Sequence, residues 1–194
     1  MSRIPYPDDE QLTPEAKQVI DALPPLNLVR MFANAPSALR PITELGRAIL
    51  LESELDHRLR EIAILAVAHT SDSAYERLQH ENICRMLEMD EQEIRAAADG
   101  RPDELDDQAA LVWKFGSQIA RDVRADEDLT ASLLEQLGQR QTTELVVACA
   151  YYCAIARVIE TCGVEMEEVA ATAGSTPTTG PAGGERRMRA AALQ

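Results

Sequence analysis

The sequence lacks the alternating apolar and polar runs of strands, a hairpin turn set between such runs, and a glycine-rich phosphate loop, which leaves an all-α protein. It also lacks any cluster of Lys and Arg before its last ten residues, and acidic residues outnumber basic ones 33 to 19. A phosphate backbone is repelled by such a chain, so nucleic acid is not an expected partner. No uncharged run reaches the roughly 20 residues of a membrane span. The longest, "LVVACAYYCAIA" at 145–156, has the length of a buried core helix, so no membrane association is expected. The start, "MSRIPYPDDEQL", has no apolar secretory core, and the four cysteines sit inside helical patterns instead of a spaced framework. A reducing cytoplasm fits both absences.

What is present is a succession of helix signals. Thr13 and Pro14 open a first helix that "LPP" closes at 23–25; Ser37 is placed to cap "ALRPITELGRAILL", with Pro41 near its first turn. Asp56 caps "HRLREIAILAVAHT", Asp90 and Glu93 form a capping box, and acidic amphipathic helices follow around 105–123 and 127–137, the second ending at Gly138. Residues 142–161 are apolar nearly all round, the mark of a central buried helix. From Thr172 the run "TAGSTPTTGPAGG" offers almost no large apolar side chain, so a helical domain over 1–171 and a flexible low-complexity tail over 172–194 are expected.

The chemistry concentrates in "TSDSAYERLQHENICRML", residues 70–87. Helical spacing sets Ser73, Glu76, His80 and Cys84 along one stripe, where a proton can be passed between neighbours. Ser73 with Glu76 equally fits a capping box that does no chemistry, and His80 equally fits a structural histidine. Glu61 is the only charge between Arg60 and His69 in a run of Ile, Ala, Leu and Val. Such a carboxylate is either paired, with Arg58 or Arg60, or shifted in its protonation for function. No spacing among Glu61, His69, Glu76 and His80 is diagnostic of a metal site, and none is expected. Cys84, Cys149 and Cys153 read as small core side chains, and Tyr151 and Tyr152 as core rings, one of which can turn its hydroxyl to the pocket.

The stretch "LDHRLREIAILAVAHTSDSAYERLQHENICRMLEMDEQEI", preceded by "NLVRMFANAPSALRP" and followed by "TTELVVACAYYCAIARVIETCGVE", resembles the carboxymuconolactone decarboxylase family, which shares the alkylhydroperoxidase D-like fold. The resemblance spans roughly residues 26–168. In the peroxidase branch of that family a Glu is followed, after eleven residues, by Cys-x-Tyr-Cys-x-x-x-His. Those positions are held here by Glu61, Ser73, Tyr75, Glu76 and His80. Both cysteines of the redox pair are therefore replaced, and a serine forms no peroxide-attacking thiolate. Glu88 also stands where a glycine often follows this helix.

The resemblance implies a small helical subunit that assembles into dimers, trimers or hexamers and uses no organic cofactor. The leading expectation is a lyase or isomerase acting on a small acidic or enolisable molecule. His80 is its general acid/base, Glu76 orients the ring, Glu61 and Tyr75 hydrogen-bond the substrate, and Arg58, Arg60 or Ser73 help to bind it. A peroxidase resting on the remaining cysteines and a non-catalytic oligomeric binding protein are the alternatives.

Overall fold

The computed structural model describes residues 1–167, which form eight α-helices, with no strand among them. They are α1 (Pro14–Ala22), α2 (Asn27–Phe32), α3 (Pro36–Leu51), α4 (His57–Thr70), α5 (Ala74–Met86), α6 (Glu91–Ala98), α7 (Asp107–Asp122) and α8 (Glu127–Cys162). The expected tail over 172–194 lies outside the described residues, as do the last residues of the expected domain.

Short side chains start most of these helices. Thr13 Oγ1 accepts from the Ala16 N–H, Asp56 from Leu59, Asp90 from Gln92 and Glu93, and Asp106 from Ala109, each meeting an otherwise orphaned amide. Glu93 does not complete the capping box, because its carboxylate pairs with Arg58. Ser37 does not cap α3 either: the helix starts one residue earlier, with Pro36 in its first turn and no side-chain cap.

The most completely enclosed element is α4. Ile62 to Val67 have no solvent exposure, because α5, α6, α7 and α8 all pack around this helix. The last helix, α8, is two helical segments meeting at Gly138, whose φ of 74° and ψ of 172° interrupt the rod. By length and composition α8 could cross a membrane. Ten of its residues are instead buried in the core, from Leu133 to Ile159. Its outer face keeps Val146 and Val147 41% exposed, together with exposed Ala150 and Ala154. The all-round apolarity of 142–161 thus has two causes, a core face and an uncovered outer face.

Glu88 holds the turn after α5 at φ 59°, so a left-handed residue is needed there and is supplied without glycine. Met89 N–H closes the turn on the Cys84 carbonyl at 3.1 Å. Gly116 is where α7 touches α4: a Cβ there would lie 2.8 Å from the Ala63 carbonyl oxygen. Gly116→Ala is therefore expected to cost about 1–3 kcal/mol by pushing two helices apart. An unchanged urea midpoint for that variant would refute the close contact.

Candidate active site

Two charged residues sit on the buried face of α4, and each has a reason to be there. Glu61 is fully buried and Arg60 is 2% exposed. Arg60 Nε donates to Glu61 Oε1 at 2.9 Å, and Arg60 Nη1 donates to the Leu50 carbonyl at the end of α3, at 3.0 Å. The other Glu61 oxygen, Oε2, lies 2.7 Å from Nδ1 of His80 on α5. Burial alone would raise the Glu61 pKa, but His80 and then Arg60 outweigh it and hold the carboxylate below its ordinary range. An ionised Oε2 accepts, so Nδ1 donates and Nε2 is the ring nitrogen left for chemistry.

The sequence-based assignment of Glu76 as the partner of His80 is corrected by this geometry, since Glu61 occupies Nδ1. The capping box of Ser73 and Glu76 is corrected as well. The Ser73 N–H that Glu76 would have capped already donates to the Ala68 carbonyl at 2.9 Å, through a left-handed turn at Asp72 with φ 52°. Ser73 Oγ and both Glu76 oxygens are buried and have no hydrogen-bond partner among the described residues. Burial, followed by the nearby Glu160 charge, pushes the Glu76 carboxyl well above its ordinary pKa.

Tyr75 goes elsewhere. Its hydroxyl donates to Glu167 Oε1 at 2.5 Å, where the Asn27 N–H also donates, while Gln79 Nε2 donates to the second Glu167 oxygen. It fastens the end of the described chain to α5 and α2. The tyrosine at the site is Tyr152 of α8, whose ring stands edge-on to His80 with centroids 4.6 Å apart and planes at 87°. Burial, then Glu61, Tyr151 and Glu76, push its hydroxyl pKa up, so it is within electrostatic reach of both carboxylates. Sequence spacing on α5 could not select it; a tyrosine pair inside the most apolar run was the available signal.

Arg58 is also outside the site, paired with Glu93 and Asp106. The buried thiols of Cys84, Cys149 and Cys153 all have pKa values pushed up, with desolvation the largest cause. A surface cleft of about 690 Å³ lined by Trp113, Ser117 and Arg121, between α7 and the start of α8, contains none of the site residues.

The two carboxyls have opposite consequences for stability. Because the folded-state pKa of Glu76 is raised, its neutral form contributes fully below the ordinary carboxylate value of 4.5, and that contribution is lost as pH rises through the folded value. Within that window the loss approaches about 1.4 kcal/mol per pH unit. Glu76→Gln cannot ionise, so its melting temperature relative to wild type should climb as pH rises above the ordinary carboxylate value of 4.5. A difference that stays constant across this range would show that Glu76 does not carry a raised pKa.

Comparison with known proteins bears on the fold and on the helices that carry the site. Residues 36–110 match the Carboxymuconolactone decarboxylase family, a span that includes α4 and α5 and hence Arg60, Glu61, Ser73, Glu76 and His80. No curated protein matches significantly. Among solved structures, an uncharacterized peroxidase-related protein with an alkylhydroperoxidase AhpD core, from Ralstonia eutropha JMP134, superposes with a TM-score of 0.75 at 18% identity, covering 86% of this chain and 93% of that one. An uncharacterized peroxidase-related protein from Silicibacter sp. TM1040 gives a TM-score of 0.73 at 18% identity, covering 86% and 91%. The site-bearing helices α4 and α5 thus lie in a segment that resembles the Carboxymuconolactone decarboxylase family, and the chain shares the alkylhydroperoxidase AhpD-like fold with the solved structures.

Proposed function

We propose that this protein is a cofactor-independent lyase or isomerase that moves a proton on a small enolisable molecule, with His80 as the acid/base. The observation that carries this reading is the Glu61–His80 contact at 2.7 Å, which aims a free Nε2 from a buried, oriented imidazole. Nε2 takes a proton from the carbon beside a carbonyl, and the electron pair of that C–H bond becomes the enolate. Glu61 stabilises the imidazolium, and the neutral Glu76 carboxyl hydrogen-bonds the enolate oxygen. The proton then returns to the opposite face of the same carbon or to another carbon, which completes an isomerisation. In the lyase variant His80 enters as the imidazolium, the bond to the departing carbon dioxide supplies the electron pair, Nε2–H protonates the resulting carbanion, and the neutral ring regains its proton from water.

A thiol peroxidase is the weaker reading. The two positions of the redox pair are Ser73 and Glu76, and burial keeps the Cys84, Cys149 and Cys153 thiols protonated, whereas the thiolate is the nucleophile.

The protein also acts as a homo-oligomer in this reading, through the exposed apolar stripe of Val146, Val147, Ala150 and Ala154 on α8. Light scattering that returns only the 21.3 kDa monomer at micromolar concentration would reject the assembly. For the chemistry, the measurement is deuterium uptake from D₂O by small ketones and diketones, followed by proton NMR. Wild type should exceed the buffer rate, and His80→Gln, with a cooperative melting transition as the check that it folds, should slow the catalysed exchange about 10²–10⁴-fold. Full activity in that variant, or no exchange above buffer with wild type, would end the reading.

A further inference from the structure

The buried polar atoms beside His80 specify more than a proton shuttle. Ser73 Oγ, Glu76 Oε1 and Glu76 Oε2 lie within one turn, on residues 1% and 2% exposed, and have no protein partner among the described residues. Tyr152, 5% exposed, stands with its ring edge-on to His80, and Glu61 and Glu76 both act on its hydroxyl electrostatically. Buried polar groups are nearly always satisfied, so a cluster of them beside an oriented histidine marks a place where a ligand is met.

The sign of the site follows from its charges. Arg60 is the buried cation here, and it is committed to Glu61 and to the Leu50 carbonyl. Glu61 is held ionised, and Glu160 adds a further negative charge near Glu76. Arg157 is exposed on α8 and turns Nη1 back to the Cys153 carbonyl of its own helix at 2.6 Å. An entering carboxylate would meet negative charge and no uncommitted buried cation. A carbonyl oxygen would meet only donors: the Ser73 and Tyr152 hydroxyls and the neutral Glu76 carboxyl.

We infer that the first turn of α5 together with Tyr152 is a recognition site for a small uncharged carbonyl compound, received by Ser73, Glu76 and Tyr152, and that it rejects a carboxylate at the same place. This inference rests on the proton-transfer reading for the position of the ligand beside His80. It narrows the substrate class from acidic or enolisable molecules to uncharged enolisable ones, and it favours proton relocation over loss of carbon dioxide. Tyr152 is thereby a substrate-contacting residue, recruited from a different helix than the one that carries His80.

The test is a matched pair of probes, acetylacetone and acetoacetate, which are close in size and differ in whether one end is a methyl ketone or a carboxylate. Dissociation constants are measured near pH 7 by NMR titration of the full chain. Wild type should bind acetylacetone at least about tenfold more tightly than acetoacetate, the scale of one buried hydrogen bond lost or one charge rejected. Tyr152→Phe keeps the ring against His80 and should weaken acetylacetone about tenfold. Glu76→Leu should do the same, while Glu76→Gln, which retains an N–H donor, keeps most of the affinity; melting curves check that each variant folds. Equal or tighter binding of acetoacetate, no saturable binding of either probe, or affinity unmoved by both Tyr152→Phe and Glu76→Leu would overturn the inference. Acetoacetate binding that disappears in Arg157→Ala would overturn it too, by placing an anion site at the rim. Selective binding without any catalysed exchange leaves the recognition site standing and removes the proton-transfer reading. Exchange that accelerates equally on both probes does the reverse.

Discussion

The rest of the structure is arranged around one costly group, a carboxylate with no solvent exposure on the most enclosed helix. Glu61 would be intolerable there alone, since an unpaired buried charge is worth several kcal/mol of instability. Its neighbour Arg60 neutralises it, but Arg60 is itself buried and needs the Leu50 carbonyl, which fixes the end of α3 against α4. The second oxygen needs His80, which fixes α5 in the same way. Three helices are thus placed by the requirement that one side chain be fully paired. Apolar residues of similar volume would serve stability at least as well. The motive for keeping the arrangement is therefore what it does to the imidazole.

Two buried carboxyls that both act on the Tyr152 hydroxyl are driven apart in pKa by what surrounds them. Glu61 faces a guanidinium and a histidine, which hold its pKa down; Glu76 faces burial and another acid, Glu160, which push its pKa up. Pairs of titratable groups pushed in opposite directions are the usual arrangement for separating acid and base roles at one pH. In the proposed reaction the ionised member orients His80, and the neutral member donates toward the oxygen on which charge develops. Neither could exchange places with the other, because only Glu61 lies where Arg60 can reach it.

How much of this was legible follows from the range of the interactions. Glu61 was conspicuous as a lone charge in an apolar run, and His80 and Glu76 were conspicuous by their register on α5. Gly138 announced the break in α8, and Thr13, Asp56 and Asp90 announced helix starts, because capping acts within three residues. The partner of His80 was not legible, since residues 61 and 80 meet only once α4 and α5 have packed. The same holds for Tyr75, drawn to a residue 92 positions away. The failed capping box has a more local cause: closure of α4 through Asp72 uses the Ser73 N–H before Glu76 can reach it, and aspartate at a left-handed position is a weak signal in sequence.

The helix that carries the site is held from three sides, and the three holds differ in kind. Its ends are fixed by two left-handed closures without glycine, Ser73 N–H to Ala68 and Met89 N–H to Cys84, so its register cannot slide. Its inner face is fixed by the Glu61–His80 contact. Its outer face joins a continuous ladder of ion pairs running Arg95, Glu91, Arg85, Glu81, Arg77, Asp99, Arg101, Glu104, which ties α5 to α6 and the turn beyond. Most members of that ladder are exposed, so each pair contributes little to stability and is screened by salt. Its effect is on geometry more than on stability. With the ends locked and the outside laced, rotation of α5 about its own axis is the remaining freedom, and that rotation is what would separate Nδ1 from the buried carboxylate. The short contact to Glu61 and the exposed ladder oppose it from opposite faces of one helix.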